Sequence, residues 1–318
     1  MTELLFVQEM PEDVRNAYCT SIRKNFPGVV VNAVGHYSEA EPYLATADVI
    51  LTFGHRNISD ETFRAAKNLK WVQALGTGTD GITDRLTDRK NVLLTTTTGI
   101  HGAPVSETAL AGMFAISRDI PRAVRTQDAG KRETYVPRLL YGKTVGILGS
   151  GTIAMAMAPR CKALGMTVIG FSASPRLAAG FDDMVARDRL PTMVGTLDYL
   201  VLMTSLSPAT RGIVSADLLK KMKRTSYLIN VARGDLVDEP ALVEALHKNE
   251  IAGAALDVFA VEPLPEGHPF WSMHNVIITH HQAGTHDRKT ELTLSVIETN
   301  LRHFLAGEAT QMLNLVPR

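Results

Sequence analysis

The chain has 318 residues, of which 45% are hydrophobic and 21% are charged. This length is too great for one ordinary hydrophobic core and predicts two well-packed domains. Lysine plus arginine equals aspartate plus glutamate, at 33 each, so no overall field would hold nucleic acid or an anionic membrane surface. The chain starts with an acidic stretch and has no apolar run of roughly 18 residues, the length of a membrane span. Its two cysteines show no metal-binding spacing. We therefore expect a cytoplasmic globular protein without a metal site.

Five short apolar runs in the first third of the chain predict the strands of a small α/β layer. They cover residues 4–7, 29–31, 49–51, 71–74 and 92–94. Apolar residues at helical spacing then predict one helix from about residue 105 to about residue 126, which would connect this layer to a second domain. A last apolar-periodic helix contains Leu292, Val296, Leu301 and Phe304.

A glycine-rich turn marks the start of the second domain. Gly149, Gly151 and Ala154 fit the pattern G-x-G-x-x-G/A. A predicted strand precedes the turn at residues 143–148, and a predicted helix follows it at residues 153–164, before another strand. Without a Cβ, the backbone can approach a pyrophosphate at the positive end of that helix. The turn predicts a dinucleotide site, to which Thr152 and Ile153 would also belong, whereas the alternative is a plain tight turn of an α/β sheet.

The end of the second strand of this domain bears on the choice of cofactor. NAD sites usually have Asp or Glu there, about 20 residues past the glycines, to hold the ribose 2′-hydroxyl. This chain instead has Ser172, Ser174 and Arg176. Two hydroxyls and a cation suit a 2′-phosphate better, so we expect NADP(H) to be favoured over NAD(H). Alternatively, Arg176 is a solvated loop residue and Ser172 tolerates NAD(H).

Three later segments hold the residue types that the reduction of a 2-keto acid requires. Residues 230–235 contain Arg233, residues 257–263 contain Glu262, and residues 279–284 contain His281. An arginine can bind a carboxylate through its planar fork, and a histidine can pass a proton near neutral pH. A carboxylate beside the imidazole would favour its charged form.

These motifs, in this order, resemble those of the D-2-hydroxyacid dehydrogenase family, which includes glyoxylate/hydroxypyruvate reductases and phosphoglycerate dehydrogenases. Similarity extends to residues 75–82, 105–110, 207–212, 228–265 and 267–271. The resemblance implies an α/β fold of two doubly wound domains. A Rossmann-type dinucleotide-binding domain, residues 99–286, would be inserted in a smaller flavodoxin-like substrate domain, residues 1–98 and 287–318. It also implies a homodimer through the interdomain helix.

The resemblance also assigns catalytic roles. Arg233 would bind the substrate carboxylate, His281 would be the acid/base residue, and Glu262 would be the partner of that histidine. His280 stands where the family commonly has proline, which leaves open which imidazole acts. We favour His281 because of its distance from residues 283–284.

Binding roles follow in the same way. Asp257 would accept a hydrogen bond from the nicotinamide carboxamide, and Thr210 would lie at the cofactor. The backbone N–H groups of Gly76 and Thr77 would bind the substrate carboxylate. The remaining pocket residues would be Leu75 and Arg56.

The predicted function is the reduction of a small 2-keto acid to a D-2-hydroxy acid with NAD(P)H, and glyoxylate and hydroxypyruvate are the first expected substrates. Two alternatives stay open at this point. One is an NAD(H)-sensing binding protein similar to the corepressor relatives of the family, and the other is a dehydrogenase of a larger or phosphorylated 2-hydroxy acid. Turnover of any keto acid would favour an enzyme over the sensor.

Overall fold

The computed structural model describes residues 1–53 and 60–317. Its strands are β1 (Thr2–Val7), β2 (Val29–Val34), β3 (Val49–Thr52), β4 (Trp71–Ala74), β5 (Leu93–Thr95), β6 (Thr144–Leu148), β7 (Thr167–Ser172), β8 (Asp183–Ala186), β9 (Tyr199–Leu202), β10 (Tyr227–Asn230), β11 (Gly253–Leu256) and β12 (Val276–Ile278). Its α-helices are α1 (Glu12–Asn25), α2 (Glu41–Leu44), α3 (Asp60–Ala65), α4 (Gly102–Ser117), α5 (Ile120–Asp128), α6 (Thr152–Ala163), α7 (Leu190–Met193), α8 (Ala216–Lys221), α9 (Glu239–His247) and α10 (Lys289–Leu305).

The fold divides into two compact units. Unit 1 consists of Met1–His101 and His286–Arg318, and unit 2 consists of Gly102–Thr285. Unit 1 contains β1 to β5 with α1, α2, α3 and α10, and unit 2 contains β6 to β12 with α4 to α9. Each unit is built on a parallel sheet, which confirms the predicted α/β class with two doubly wound sheets.

The sheet of unit 1 has the strand order β2-β1-β3-β4-β5, with every pair parallel. Successive side chains of β1 enter opposite cores: Leu4 and Phe6 pack on one face, and Leu5 and Val7 pack on the other. Because both faces are covered, the strands read as continuous apolar runs. The strand order is that of flavodoxin-like sheets.

Helix α10 is fixed to the sheet of unit 1 by a buried polar network. Asn300 Nδ2 donates to Gln73 Oε1 at 2.9 Å, and Asn300 Oδ1 accepts from Leu313 N at 2.6 Å. Thr95 Oγ1 donates to the same oxygen of Gln73 at 2.8 Å. A buried amide left unpaired would cost about 1–3 kcal/mol. The last helix therefore completes the unit that the first strands begin.

The sheet of unit 2 has the strand order β12-β11-β10-β9-β6-β7-β8, again all parallel. Leu200 and Leu202 of β9 enter one core, while Tyr199 and Val201 enter the other. The strand order changes direction between β6 and β9. Open α/β sheets bind ligands at the carboxyl ends of the strands beside such a change.

The prediction of a single helix over residues 105–126 is wrong, because this region forms two helices. Helix α4 ends at Ser117 and α5 begins at Ile120, and Asp119 between them has a positive φ of 53°. Pro121 has no N–H to donate to the carbonyl four residues earlier, so it is suited to the first turn of a new helix. Of the helices in residues 1–53 and 60–317, none combines the length and the apolar character that a bilayer crossing requires.

Candidate functional site

The glycine turn after β6 leaves the start of α6 open to a ligand. Gly149 has a φ of 131°, and a Cβ on it would lie 2.6 Å from Met203 O, so this position requires glycine. A Cβ on Gly151 would meet nothing within 4 Å. Helix α6 then begins at Thr152, and its N-cap, Gly151, provides no side-chain hydrogen bond. Its first N–H groups therefore face open space, as an anion-binding helix end requires.

The end of β7 is joined to this turn by a pair of hydroxyls. Ser172 is 8% exposed, and its Oγ lies 2.8 Å from Ser150 Oγ and accepts from Ser174 N at 3.2 Å. Ser174 and Arg176 are exposed beyond the strand. The hydroxyl of Ser172 is thus used inside the protein, whereas the other two side chains can meet a ligand from solvent.

Arg233 stands on a turn that its neighbours hold rigidly. Asn230, at the end of β10, is 1% exposed, and its side chain accepts from Ala232 N at 3.1 Å and donates to Arg233 O at 2.9 Å. Arg233 Nη1 donates to Ala232 O at 2.7 Å. A Cβ on Gly234 would lie 1.9 Å from the carbonyl carbon of Phe259. Only glycine permits this approach, which brings the Arg233 turn against the turn after β11.

Asp257, directly after β11, uses its carboxylate to hold the loop after β12. It is 2% exposed and accepts from Thr279 Oγ1 at 2.5 Å, from Gln282 N at 2.9 Å and from Ala283 N at 2.9 Å. A buried carboxylate needs such donors because its desolvation is costly. Its role toward a nicotinamide carboxamide stays a prediction.

The loop held by Asp257 presents His281 to Glu262. His281 N donates to Asp257 O at 2.6 Å, and its φ of 51° is unusual for a residue with a side chain. His281 Nδ1 lies 2.8 Å from Glu262 Oε2, with the two side chains 33% and 25% exposed. The other oxygen of Glu262 accepts from Phe259 N at 2.9 Å. The carboxylate is therefore fixed at both oxygens and sets the direction of the imidazole.

The neighbouring histidine points elsewhere. His280 is exposed, and its ring centroid lies 5.6 Å from that of Trp271. Of the two adjacent imidazoles, the one in contact with Glu262 is therefore that of His281.

Sequence reasoning missed a second carboxylate that supports the same turn. Glu239 Oε2 accepts from Ala260 N at 3.0 Å, and its Oε1 lies 3.4 Å from His268 Nε2. His268 Nδ1 accepts from Phe270 N at 3.3 Å, so Nε2 carries the proton toward Glu239. The residues around Glu239 signal a helix start, but nothing in them indicates this partner. Thr279 was missed for the same reason, because Asp257, the acceptor of its hydroxyl, lies at the end of another strand.

The predicted substrate loop belongs to unit 1. Leu75 is 1% exposed and packs in the core, and its N–H donates to Thr52 O at 2.9 Å. Gly76 O accepts from Thr97 N at 3.1 Å, and Thr77 Oγ1 lies 3.0 Å from His101 Nδ1. Arg56, the other predicted pocket residue, lies outside the described residues.

The remaining predicted residues are placed as follows. Thr210 is fully buried, and its hydroxyl accepts from Ser207 N at 2.8 Å and donates to Ser205 O at 2.8 Å, so it shapes the segment after β9. In the part of the chain that the structure describes, no group of three or more His, Cys, Asp or Glu side chains has the arrangement of a metal site.

More than half of the chain matches a family of known proteins. Residues 110–283 match the model described as D-isomer specific 2-hydroxyacid dehydrogenase, NAD binding domain. This stretch lies within unit 2. It includes the glycine turn and the three segments that carry Arg233, Glu262 and His281.

Individual proteins resemble the chain over most of its length. A glyoxylate reductase of Korarchaeum cryptofilum is 32% identical over 260 residues, which cover 79% of this chain and 77% of that protein. A D-3-phosphoglycerate dehydrogenase of Methanocaldococcus jannaschii is 30% identical over 274 residues, or 85% of this chain, but the match spans only 52% of that longer protein. The crystal structure of an NADPH-dependent glyoxylate/hydroxypyruvate reductase from Sinorhizobium meliloti, in complex with NADP and sulfate, superposes with a TM-score of 0.85 at 26% identity, covering 99% of this chain and 98% of that one.

Replacing Gly234 with alanine should force apart the turns after β10 and β11. The new Cβ would overlap the backbone at Phe259 and Ala260, which cannot rotate away as a side chain can. We expect the free energy of unfolding to fall by about 3 kcal/mol, the upper part of the range for overpacking, as measured by urea unfolding. The control is Gly28→Ala, whose Cβ would meet nothing within 4 Å. A Gly234→Ala variant as stable as the control would contradict the close approach.

Proposed function

The chain belongs to the D-isomer specific 2-hydroxyacid dehydrogenase family, and we propose that it reduces small 2-keto acids to D-2-hydroxy acids with NAD(P)H. The observation that carries this proposal is the His281–Glu262 pair, with Nδ1 and Oε2 2.8 Å apart. This pair follows the glycine turn in the same unit, beside the turn that carries Arg233. Glyoxylate and hydroxypyruvate are the simplest substrates of this class to test.

The residues of unit 2 fit a dinucleotide. Gly149 is compatible only with a bare backbone, Gly151 leaves open space, and the first turn of α6 offers uncapped N–H groups. These groups would hold the pyrophosphate. When bound, the nicotinamide supplies the hydride.

Proton transfer and substrate binding fall to the side chains of the protein. His281 gives its Nε2 proton to the keto oxygen, because Nδ1 is engaged by Glu262. Glu262 accepts from Nδ1–H and holds the ring in place, which leaves Nε2 as the nitrogen that exchanges the proton. Arg233 binds the substrate carboxylate through its planar fork. In the reverse direction, His281 takes the proton back.

The loop of unit 1 offers backbone donors to an anionic group. Gly76 and Thr77 are partly exposed, and within the described residues their N–H groups donate to no acceptor. Two successive N–H groups of this kind form a concave anion site. We therefore assign them to substrate binding, while the role of Arg56 stays a prediction.

Replacing Glu262 with glutamine should lower activity. An uncharged amide oxygen accepts more weakly from Nδ1–H than a carboxylate does, so the ring is held less firmly for proton transfer. We expect kcat at pH 7 to fall by about 10- to 100-fold, measured from the loss of NADPH or NADH absorbance with glyoxylate, hydroxypyruvate and pyruvate. Glu244→Gln, at an exposed site that pairs with Lys248, is the control. No turnover by the wild-type protein with any keto acid would refute the proposed function, and an unchanged kcat in Glu262→Gln would refute the pairing.

We also propose that NADP(H) is preferred over NAD(H). The end of β7 has no carboxylate to hold a ribose 2′-hydroxyl, and Arg176 is exposed just beyond it. The Sinorhizobium meliloti relative is described as NADPH-dependent. A guanidinium at this place would bind the 2′-phosphate of NADP(H). NAD(H) has no phosphate at this position.

The contribution of Arg176 can be isolated by alanine substitution. Arg176→Ala should lower kcat/KM for NADPH by about 10- to 100-fold, as expected for a lost charge-assisted hydrogen bond. The value for NADH should change by less than about twofold, since no phosphate is involved. Arg189→Ala, at another exposed position of unit 2, controls for the change in net charge. Equal kcat/KM for both cofactors in the wild-type protein would overturn the preference.

We further propose a homodimer through the region from α4 to the start of β6. Among the described residues, 14 large hydrophobic side chains are exposed, and 6 of them lie there: Phe114, Ile120, Val124, Val136, Leu139 and Tyr141. Val136 is 94% exposed and borders a cavity of about 520 Å³ that Tyr227 and Ile277 also line. Such a concentration of apolar surface is typical of an interaction site, and the resemblance to the family implies that a second copy covers it.

The mass in solution tests this interface. Wild-type protein should have a mass of about 69 kDa, which is twice 34.6 kDa, by light scattering after size exclusion. The double variant Val124→Glu, Val136→Glu would bury charges in the interface, and it should therefore have the mass of the monomer. Leu177→Glu, which is 71% exposed outside this region, should leave the mass unchanged. A monomeric wild-type protein at micromolar concentration would contradict the dimer.

A further inference from the structure

Two basic residues of unit 1, Lys289 and His101, lie near the loop at residues 75–77. The Nζ atom of Lys289 lies 4.9 Å from the centroid of the Phe53 ring. The same ring lies against Gly76, where a Cβ would be 3.5 Å from Phe53 Cδ1. The aromatic ring thus connects the ammonium of Lys289 to the loop that we assign to the substrate carboxylate.

The second basic side chain, His101, contacts this loop directly. Its Nδ1 lies 3.0 Å from Thr77 Oγ1, and the residue is 8% exposed. Burial lowers the pKa of His101 to about 4; nearby Lys289 and His286 lower it as well, against an opposing hydrogen bond to the backbone of Thr97. Lys289 and His286 therefore lie close enough to His101 to repel a positive charge on it.

Little negative charge lies beside Lys289 and His286. Within residues 1–53 and 60–317, Lys289 forms no ion pair, and the one carboxylate paired with His286 is that of Asp287, 4.0 Å from Nδ1 and 95% exposed. Lys289 is half-buried, and burial lowers its pKa. It is also the first residue of the 17-residue helix α10, where the helix dipole disfavours a cation.

Polar atoms at the same place also have no partner. Thr97 Oγ1 and His286 Nε2 are buried, and in the described part of the chain neither forms a hydrogen bond. Buried polar groups are usually paired, and an exception calls for an explanation. An anion beside Lys289 would offset its positive charge.

We propose that Lys289 binds a second anionic group of the substrate, a carboxylate or a phosphate, and that the preferred substrates are therefore dianionic 2-keto acids. This inference rests on the proposed function, because it takes the first carboxylate to bind the N–H groups of Gly76 and Thr77. Glyoxylate and pyruvate engage only the first position and leave the ammonium of Lys289 unpaired.

The test compares keto acids that differ in the group at the far end. Pyruvate has a methyl group there, oxaloacetate a carboxylate and 3-phosphohydroxypyruvate a phosphate. Wild-type kcat/KM should be at least about tenfold higher for one of the two dianions than for pyruvate, as expected for one charge-assisted hydrogen bond. The favoured dianion identifies the second group as carboxylate or phosphate.

Variants at Lys289 then separate recognition from structure. Lys289→Met should abolish the preference, mainly through KM for the dianion, and leave kcat/KM for pyruvate within about twofold. Lys289→Arg should keep part of the preference, and Lys67→Met, at an exposed position of unit 1, should keep all of it. Equal wild-type values for pyruvate and both dianions, or an unchanged preference in Lys289→Met, would overturn the inference and leave the proposed function standing.

If no keto acid is reduced, the proposed function is refuted, and a binding measurement still tests the anion site. Calorimetry would then compare D-malate with D-lactate in the absence of cofactor. Binding of malate that Lys289→Met weakens at least about tenfold, with lactate unchanged, would support the anion site by itself. Equal affinities of the wild-type protein and Lys289→Met for malate would overturn it.

Discussion

The buried carboxylate of Asp257 is the interaction on which the candidate site depends. Its oxygens accept from Thr279, Gln282 and Ala283, and its main-chain carbonyl accepts from His281 N. These bonds hold the backbone of His281 at a φ that L-residues rarely adopt. Strain of this kind persists only where the surroundings over-determine the geometry. The position of the imidazole is therefore set by a residue on the neighbouring strand and not by its own loop.

The side chains of the candidate site are positioned mainly through the main chain. Asn230 closes the turn of Arg233 with two backbone bonds, and Gly234 brings this turn against the backbone at Phe259. Phe259 N in turn fixes one oxygen of Glu262. The ends of β10 and β11 are thus joined by contacts that involve the backbone, so the turn of Arg233 and that of Glu262 are fixed to each other.

The sequence predicted the structure correctly where a residue type serves a single physical purpose. Continuous apolar runs predicted the parallel strands because both faces of each sheet are buried, and the glycines after β6 predicted a turn that excludes side chains. The break at Asp119 was missed because helical apolar spacing gave no sign of it. Glu239 and Thr279 were missed because their partners are distant in sequence. The group around Lys289 joins residues 53, 76, 101 and 289, and no local pattern shows that they meet.

The hydroxyl pair of Ser150 and Ser172 links two properties that are usually treated separately. Ser150 lies inside the glycine turn, and Ser172 occupies the end of β7, where NAD-binding relatives of this architecture carry a carboxylate. A mutation that introduces a carboxylate at Ser172 therefore also removes a hydroxyl that supports the turn. Because the two hydroxyls are bonded to each other, the effects of substitutions at residues 150 and 172 on the turn should not be additive.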